Sequence, residues 1–161
     1  MRYNYFDSPI GKLLIAGLID GPAEALSLIG FPKGKMKVKP GPEWQLDDGA
    51  FPGAHSQLAE YFSGERTSFS LDLDPKGTEF QVAVWRALAE IPYGVTVSYR
   101  DVAEQIGRPT ATRAVGAANG QNPLPIVLPC HRVVGADGSL TGFGGGLDIK
   151  RFLLELSLIH I

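Results

Sequence analysis

Cysteine is almost missing from this chain. Of its 161 residues only Cys130 carries a thiol, so no internal disulfide can form and no zinc site built from several cysteines is available. Histidine is scarce too, three in all and without ligand spacing, and no metal site is expected. No apolar run approaches the ~20 residues that span a bilayer, so no membrane partner is expected. The opening residues Met1–Phe6 show neither the basic stretch nor the apolar core of a secretory signal. A free thiol without such a signal predicts a reducing, cytoplasmic setting. A strong charge of either sign is also missing. The net is −2, so composition alone does not make the whole chain a polyanion binder. Residues 1–74 hold 7 Lys/Arg against 10 Asp/Glu, and residues 75–161 hold 8 against 7. That balance permits nucleic-acid contact by the second half without arguing for it.

What is present is the composition of a soluble globular protein. Apolar residues make up 44% and charged residues 20%, enough for one ordinary domain or two small ones. In the first half, Tyr3–Phe6 and Lys12–Ala16 read as two strands about the Ser8-Pro-Ile-Gly11 turn, and Ala25–Ile29 as a third. Phe31–Gly53, rich in Gly, Pro and Lys, reads as irregular, and the alternation of Lys33, Lys35, Lys37 and Lys39 as a solvated edge. His55–Phe62 reads as a helix stopped by Gly64, with His55 a surface residue near its start. Phe69–Leu73 alternates and reads as a strand. No catalytic constellation stands out in this half. The turn Asp74-Pro-Lys-Gly77 marks a boundary between domains at 1–74 and 75–161.

The second half is denser in signals. Thr78-Glu-Phe-Gln81 has the pattern of a capping box and opens a helix with Phe80, Val84, Leu88 and Ile91 on one face and Trp85 beside it. Val95–Val97 reads as a short extended piece. Ser98 caps a helix over Tyr99–Ile106, closed by Gly107 and Pro109, and Thr110 opens another over Ala111–Asn119. Two short helices so joined make a helix-turn-helix candidate. The second sets one long cation, Arg113, among small residues. Tight helix packing explains the alanines, whereas Arg113 suits a nucleic-acid groove better than a packed face. Asn122 fits an Asx turn, and its place just ahead of the cysteine permits a role in ordering the thiol. Asp148 caps a last helix whose apolar face is Ile149, Phe152, Leu153 and Leu156.

Between these helices stands Pro129-Cys-His-Arg-Val-Val134, entered through the apolar Pro125–Leu128 and left through the turn Gly135–Gly138. The flanks read as a short buried strand delivering a thiol to the edge of a core. A thiolate is a far better nucleophile than a thiol, and the adjacent His131 could lower the thiol's pKa or take its proton. A buried, inert cysteine beside an exposed histidine would account for an isolated pair equally well. The glycine-rich Ser139–Gly146 lacks the Lys-Ser/Thr of a P-loop and fits a loop whose backbone closely approaches a flat ligand or another chain.

From Gly77 to about Leu156 the chain resembles the O6-alkylguanine-DNA alkyltransferases, bacterial type, without a gap. The resemblance rests on Gly-Thr-x-Phe-Gln and Val-Trp, Ile-Pro-Tyr-Gly and Ser-Tyr, Arg-Ala-Val-Gly, Asn-Pro, Pro-Cys-His-Arg-Val, and Gly-Gly-Leu-x-x-Lys. The first half matches loosely. The resemblance implies an α/β, ribonuclease-H-like N-terminal domain. It implies a mostly α, winged helix-turn-helix C-terminal domain that binds double-stranded DNA through the minor groove and flips a damaged guanine into a pocket. It implies Cys130 as alkyl acceptor, His131 as its water-linked base and Asn122 as the residue ordering that site. Arg113 is the implied finger that takes the flipped base's place, and Tyr99 assists flipping and hydrogen-bonds the guanine. Arg100, Ala114 and Val133 join them as implied substrate and DNA contacts, and Phe143, Gly144 and Gly145 belong to the implied pocket loop. The implied activity is irreversible transfer of the alkyl group from O6-alkylguanine, and from O4-alkylthymine, to Cys130. It is carried out once per molecule by a monomer without a cofactor. Flipping is required because O6 lies inside the base stack.

Two positions depart from that pattern. Many relatives have a serine where this chain has Gly144, which leaves only a backbone N–H to donate there. The family's glutamate that orients the histidine falls on Ser157, and Glu155 lies on roughly the opposite helix face. A serine there weakens His131 as a base by removing its charge partner. Leu156–Ile161 is also what a transposon-end sequencing adapter encodes in one frame, so residues 156–161 are expected to be a non-native tail. The alternative function is then a protein that binds alkylated DNA with impaired transfer. A cysteine hydrolase would need an oxyanion hole and turnover, of which the sequence gives no sign.

Overall fold

The computed structural model describes residues 1–33, 38–141, 143 and 145–159. The lysine alternation therefore lies outside the described residues at Lys35 and Lys37, while Lys33 and Lys39 are exposed. Three strands, β1 (Arg2–Ser8), β2 (Gly11–Asp20) and β3 (Ala23–Gly30), form an antiparallel meander, and the two-residue β4 (Gln45–Leu46) joins β1 in parallel. Ser8 makes the first turn: its hydroxyl donates to the Gly11 carbonyl at 2.6 Å and accepts from the Ile10 N–H at 3.2 Å. The middle strand, β2, is buried on both faces from Leu13 to Gly17, which explains its unbroken apolar run. Its register with β3 shifts at Ala16/Gly17, where any side chain on Gly17 would overlap the Ala25 carbonyl.

Helix α1 (Pro52–Ser63) buries Ala54, Leu58 and Tyr61, packs against β1, and is ended by Gly64 at φ +84°. His55 is not simply a surface residue. Its Nε2 lies 2.7 Å from Asn4 Oδ1, and the Asn4 amide donates onward to the carbonyls of Asp47 and Ala50. Phe69–Leu73 is not a strand either. It meets the sheet at one parallel bridge, Leu26–Leu73, while the Gln57 side chain takes both backbone groups of Ser70. A helix side chain thus satisfies the backbone that a ladder would otherwise claim.

In the second half α2 (Glu79–Ala89), α3 (Tyr99–Gln105) and α4 (Thr112–Gly120) pack on one another. A final helix, α5 (Leu147–Ile159), packs against the cysteine segment, and β5 (Val97–Ser98) pairs in parallel with β6 (Val133–Val134). Capping boxes open α2 (Thr78 with Gln81) and α3 (Ser98 with Asp101). Thr110 does not cap α4. Its N-cap is Ala111, whose N–H is held by the Arg108 carbonyl at 2.9 Å in a turn. Asp148 lies inside the first turn of α5 rather than ahead of it. Trp85 lies against Gly77 and donates to the Ala118 carbonyl at 2.9 Å, locking α2 to α4.

The two halves share one apolar core running from Leu13 to Leu156. Arg132, 6% exposed, stitches them further: its guanidinium donates to the Ile91 carbonyl at 2.6 Å and to the Tyr61 hydroxyl at 3.3 Å. Among the described residues no helix is long and apolar enough to cross a membrane.

Candidate active site

The cysteine is not delivered by a strand. Pro123, Pro125 and Pro129 remove three ladder donors in seven residues, so Pro125–Leu128 turns instead of pairing. The Leu128 N–H bonds the Leu124 carbonyl at 2.8 Å, and Ile126 takes φ +76°. A β-branched residue in that region is strained, and with Ile126 only 1% exposed the surrounding core holds it there. Cys130 then opens a single turn of 3-10 helix, Cys130–Arg132, directly before β6.

Polar side chains from three elements converge on this turn. Asn122 does both things its sequence position allowed. Its Oδ1 accepts from the Leu124 N–H at 2.9 Å, making the Asx turn, and its Nδ2 donates to the Leu128 carbonyl at 2.7 Å. Asn119 of α4 donates to the Cys130 carbonyl at 3.3 Å. Lys150 of α5, fully buried, donates to the carbonyls of Val133 at 2.7 Å and Thr141 at 2.8 Å. Thr141 in turn donates to the Tyr99 hydroxyl at 3.0 Å. In the sequence Lys150 is only the last residue of the Gly-Gly-Leu-x-x-Lys motif, and nothing marks Asn119. The available signal was a lysine on the apolar stripe of an amphipathic helix, three residues before Leu153.

Burial dominates the electrostatics. It pushes the Cys130 thiol up to about 11, against the pull of the Asn122 amide and the Lys150 ammonium. It pushes His131 down to about 3, with Arg132 and Lys150 repelling a further positive charge. It lowers Lys150 to about 8, with the cysteine sulfur opposing. At neutral pH the pair is therefore a neutral thiol beside a neutral imidazole. Neither ring nitrogen of His131 has a hydrogen-bond partner among the described residues. Ser157 is buried on α5, and its hydroxyl donates to the Leu154 carbonyl of its own helix at 2.8 Å.

A cavity of about 110 Å³ opens above the thiol. It brings together Cys130, Asn122 and Phe143 of the expected site, with Asn119, Pro125 and the unexpected Phe31. Gly145 is buried against the Phe31 ring, and Gly144 lies outside the described residues. Val133 does not face the cavity: its side chain is fully buried in the core, and its carbonyl serves Lys150. Arg113 and Ala114 are exposed on α4, whose C-terminal end, Asn119–Gly120, borders the cavity. Six residues of helix place Arg113 about 9 Å along the axis from Asn119. Tyr99 is half-buried at the start of α3, and Arg100 is exposed and paired with Glu104 at 3.2 Å.

The fold and site define a two-domain protein built around one sheltered thiol, with a helix pair presenting an exposed arginine. Residues 1–75 match the model of the 6-O-methylguanine DNA methyltransferase, ribonuclease-like domain, and residues 79–157 that of its DNA-binding domain. A methylated-DNA–protein-cysteine methyltransferase of Methanosarcina acetivorans is 51% identical over 156 residues, 97% of each chain. One from Mycolicibacterium paratuberculosis is 51% identical over 160 residues, covering 99% of this chain and 94% of that one. The crystal structure of Mycobacterium tuberculosis OGT in complex with DNA superposes with a TM-score of 0.90 at 49% identity, over 99% of this chain and 94% of that one. The chain belongs to the 6-O-methylguanine DNA methyltransferase family.

Proposed function

We propose that this protein repairs alkylated DNA directly, moving the alkyl group from O6 of guanine onto the sulfur of Cys130. The carrying observation is Cys130 itself, one thiol at a small cavity ordered by Asn122, in a chain about half identical to methylated-DNA–protein-cysteine methyltransferases along its length. The thiol gives up its proton and the sulfur lone pair attacks the alkyl carbon. The C–O6 bond breaks, its electron pair moves into the purine, and the proton ends on the base. The products are guanine and an S-alkyl cysteine. His131, kept neutral by burial, has a ring lone pair to take the proton in passing. The thioether carries no group that water can displace, so each molecule acts once.

The DNA-facing parts follow from the same reading. The helices α3 and α4 act as a helix-turn-helix, with the loop after β6 as its wing, docked in the minor groove. Arg113 takes the place of the flipped base, with Ala114 beside it letting the backbone come close. Tyr99 and Arg100 meet the strand at the start of α3. Phe143 and Gly145 flank the base once it is flipped. Domains 1–74 and 75–161 work as one monomer, the first a ribonuclease-H-like scaffold, with O4-alkylthymine as a second substrate.

Incubation with duplex DNA carrying tritiated O6-methylguanine tests this. One label per protein, on Cys130, is expected. Tight lesion binding without transfer would favour a lesion-binding protein, as a His131 ring without a partner among the described residues allows, and repeated turnover would contradict both.

A further inference from the structure

One wall of the cavity above Cys130 does not come from the thiol's own domain. Leu28, Ile29, Phe31 and Val38, from the sheet half of the chain, line it together with Asn122, Pro125 and Phe143. Three contacts fix this wall. The Ile29 N–H donates to the Pro123 carbonyl at 2.8 Å, tying the end of β3 to the loop that carries Asn122. Phe31, 4% exposed, meets Phe143 with ring centroids 5.4 Å apart and planes inclined at 54°. The backbone of Gly145 lies against the Phe31 ring so closely that a Cβ there would stand 2.7 Å from Cδ2. Glycine at 145 is thus the condition for Phe31 to occupy its place.

We propose that Phe31, with Val38, is a specificity-determining residue, and that the sheet domain limits the size of the alkyl group that reaches Cys130. This rests on the alkyl-transfer reading above. A dry apolar cavity of roughly 150 Å³ accepts a benzene ring. The cavity here is smaller, about 110 Å³, and Phe31 and Val38 form part of its wall. Phe31 yields little, because its ring is packed against both Phe143 and the Gly145 backbone. In apolar pockets one methylene more or less changes selectivity about 10–200-fold. Replacing the ring by a methyl group is therefore expected to move selectivity by at least about tenfold.

The test uses the full chain and its one cysteine. Cys130 is alkylated with iodoacetamide and, separately, with N-benzyl iodoacetamide, and both rates are read by intact-protein mass spectrometry. The two reagents share one displacement: an S–C bond forms, iodide leaves and the thiol proton goes to solvent. Phe31→Ala is expected to raise the benzyl-to-parent rate ratio at least about tenfold. Phe31→Leu and Val38→Ala should move the ratio the same way by less, and they decide the matter if Phe31→Ala loses its native circular dichroism. An unchanged ratio in folded variants overturns the proposal, and so does equal acceleration of both reagents, which marks general loosening. Transfer from O6-benzylguanine relative to O6-methylguanine in duplex DNA should follow the same order. If wild type takes no methyl from DNA, the alkyl-transfer reading fails, while the reagent ratio still reports on the wall.

Discussion

The ammonium of Lys150 donates to the carbonyl of Val133 at 2.7 Å, three residues beyond Cys130. The same nitrogen holds the Thr141 carbonyl, so one buried cation fastens the cysteine turn to the loop that follows it. Lys150→Met leaves two carbonyls without this donor, each a loss of about 1–3 kcal/mol if it stays buried and unpaired. The variant is expected to unfold at clearly lower urea, and an unchanged midpoint would contradict the clamp.

Lys150 also gives stability a pH dependence of definite sign. Its pKa is lowered by burial to about 8 from 10.5, so between those values the unfolded chain holds a proton that the folded chain lacks. Stability from this group rises with pH across that window and has no slope below it, where both states are charged. Cys130, pushed up to about 11 from 9.0, acts in the opposite direction above pH 9. The clean window is therefore about pH 8–9, where wild type should gain stability relative to Lys150→Met in urea titrations.

Cys130 should resist alkylation until the solution is strongly basic. An ordinary thiol, with pKa near 8.5, approaches its full rate about one unit above that value. With Cys130 pushed up to about 11 by burial, its iodoacetamide rate should climb about tenfold per pH unit from 7 to beyond 9. Stopped-flow pH jumps measure this before the fold responds, and a plateau below pH 9 would contradict it.

Much of the scaffold is visible in local sequence because its determinants lie close together. The capping pair Thr78–Gln81 is three residues apart and reads directly, as do the cap Ser98 and the glycines Gly64 and Gly107 at helix ends. Where local sequence misleads, one cause is distant and one is near. His55 looks like a surface residue in the sequence because its partner, Asn4, lies 51 residues away. The approach to Cys130 looks like a strand because it is apolar, yet three prolines there forbid pairing. The site divides the same way. Cys130, His131 and Asn122 form a legible local cluster, whereas Phe31 meets Phe143 only through the fold.

Two neighbouring glycines separate contact from conformation. Gly145→Ala drives a methyl group into the Phe31 ring and should cost about 1–3 kcal/mol by overpacking, with Cys130 reactivity altered. At Gly146 nothing lies within 4 Å of an added Cβ, but φ is +98°, so Gly146→Ala carries backbone strain alone. Denaturation together with Cys130 alkylation distinguishes them: only Gly145→Ala should shift the benzyl-to-parent ratio.

Ser157→Glu should strengthen the site. Ser157 is buried on α5, which packs against Cys130–Arg132, and the His131 ring has no partner among the described residues. A carboxylate there would orient the imidazole and favour its protonated form. Transfer from O6-methylguanine should speed up about tenfold or more. No change in rate would mean that position 157 does not reach the ring.

The most direct measurement is peptide mapping after incubation with excess O6-methylguanine duplex. The account predicts one added methyl group, on the peptide containing Cys130, at one per molecule, and none in Cys130→Ser. A methyl group elsewhere, or an unmodified Cys130 alongside repaired DNA, would contradict it.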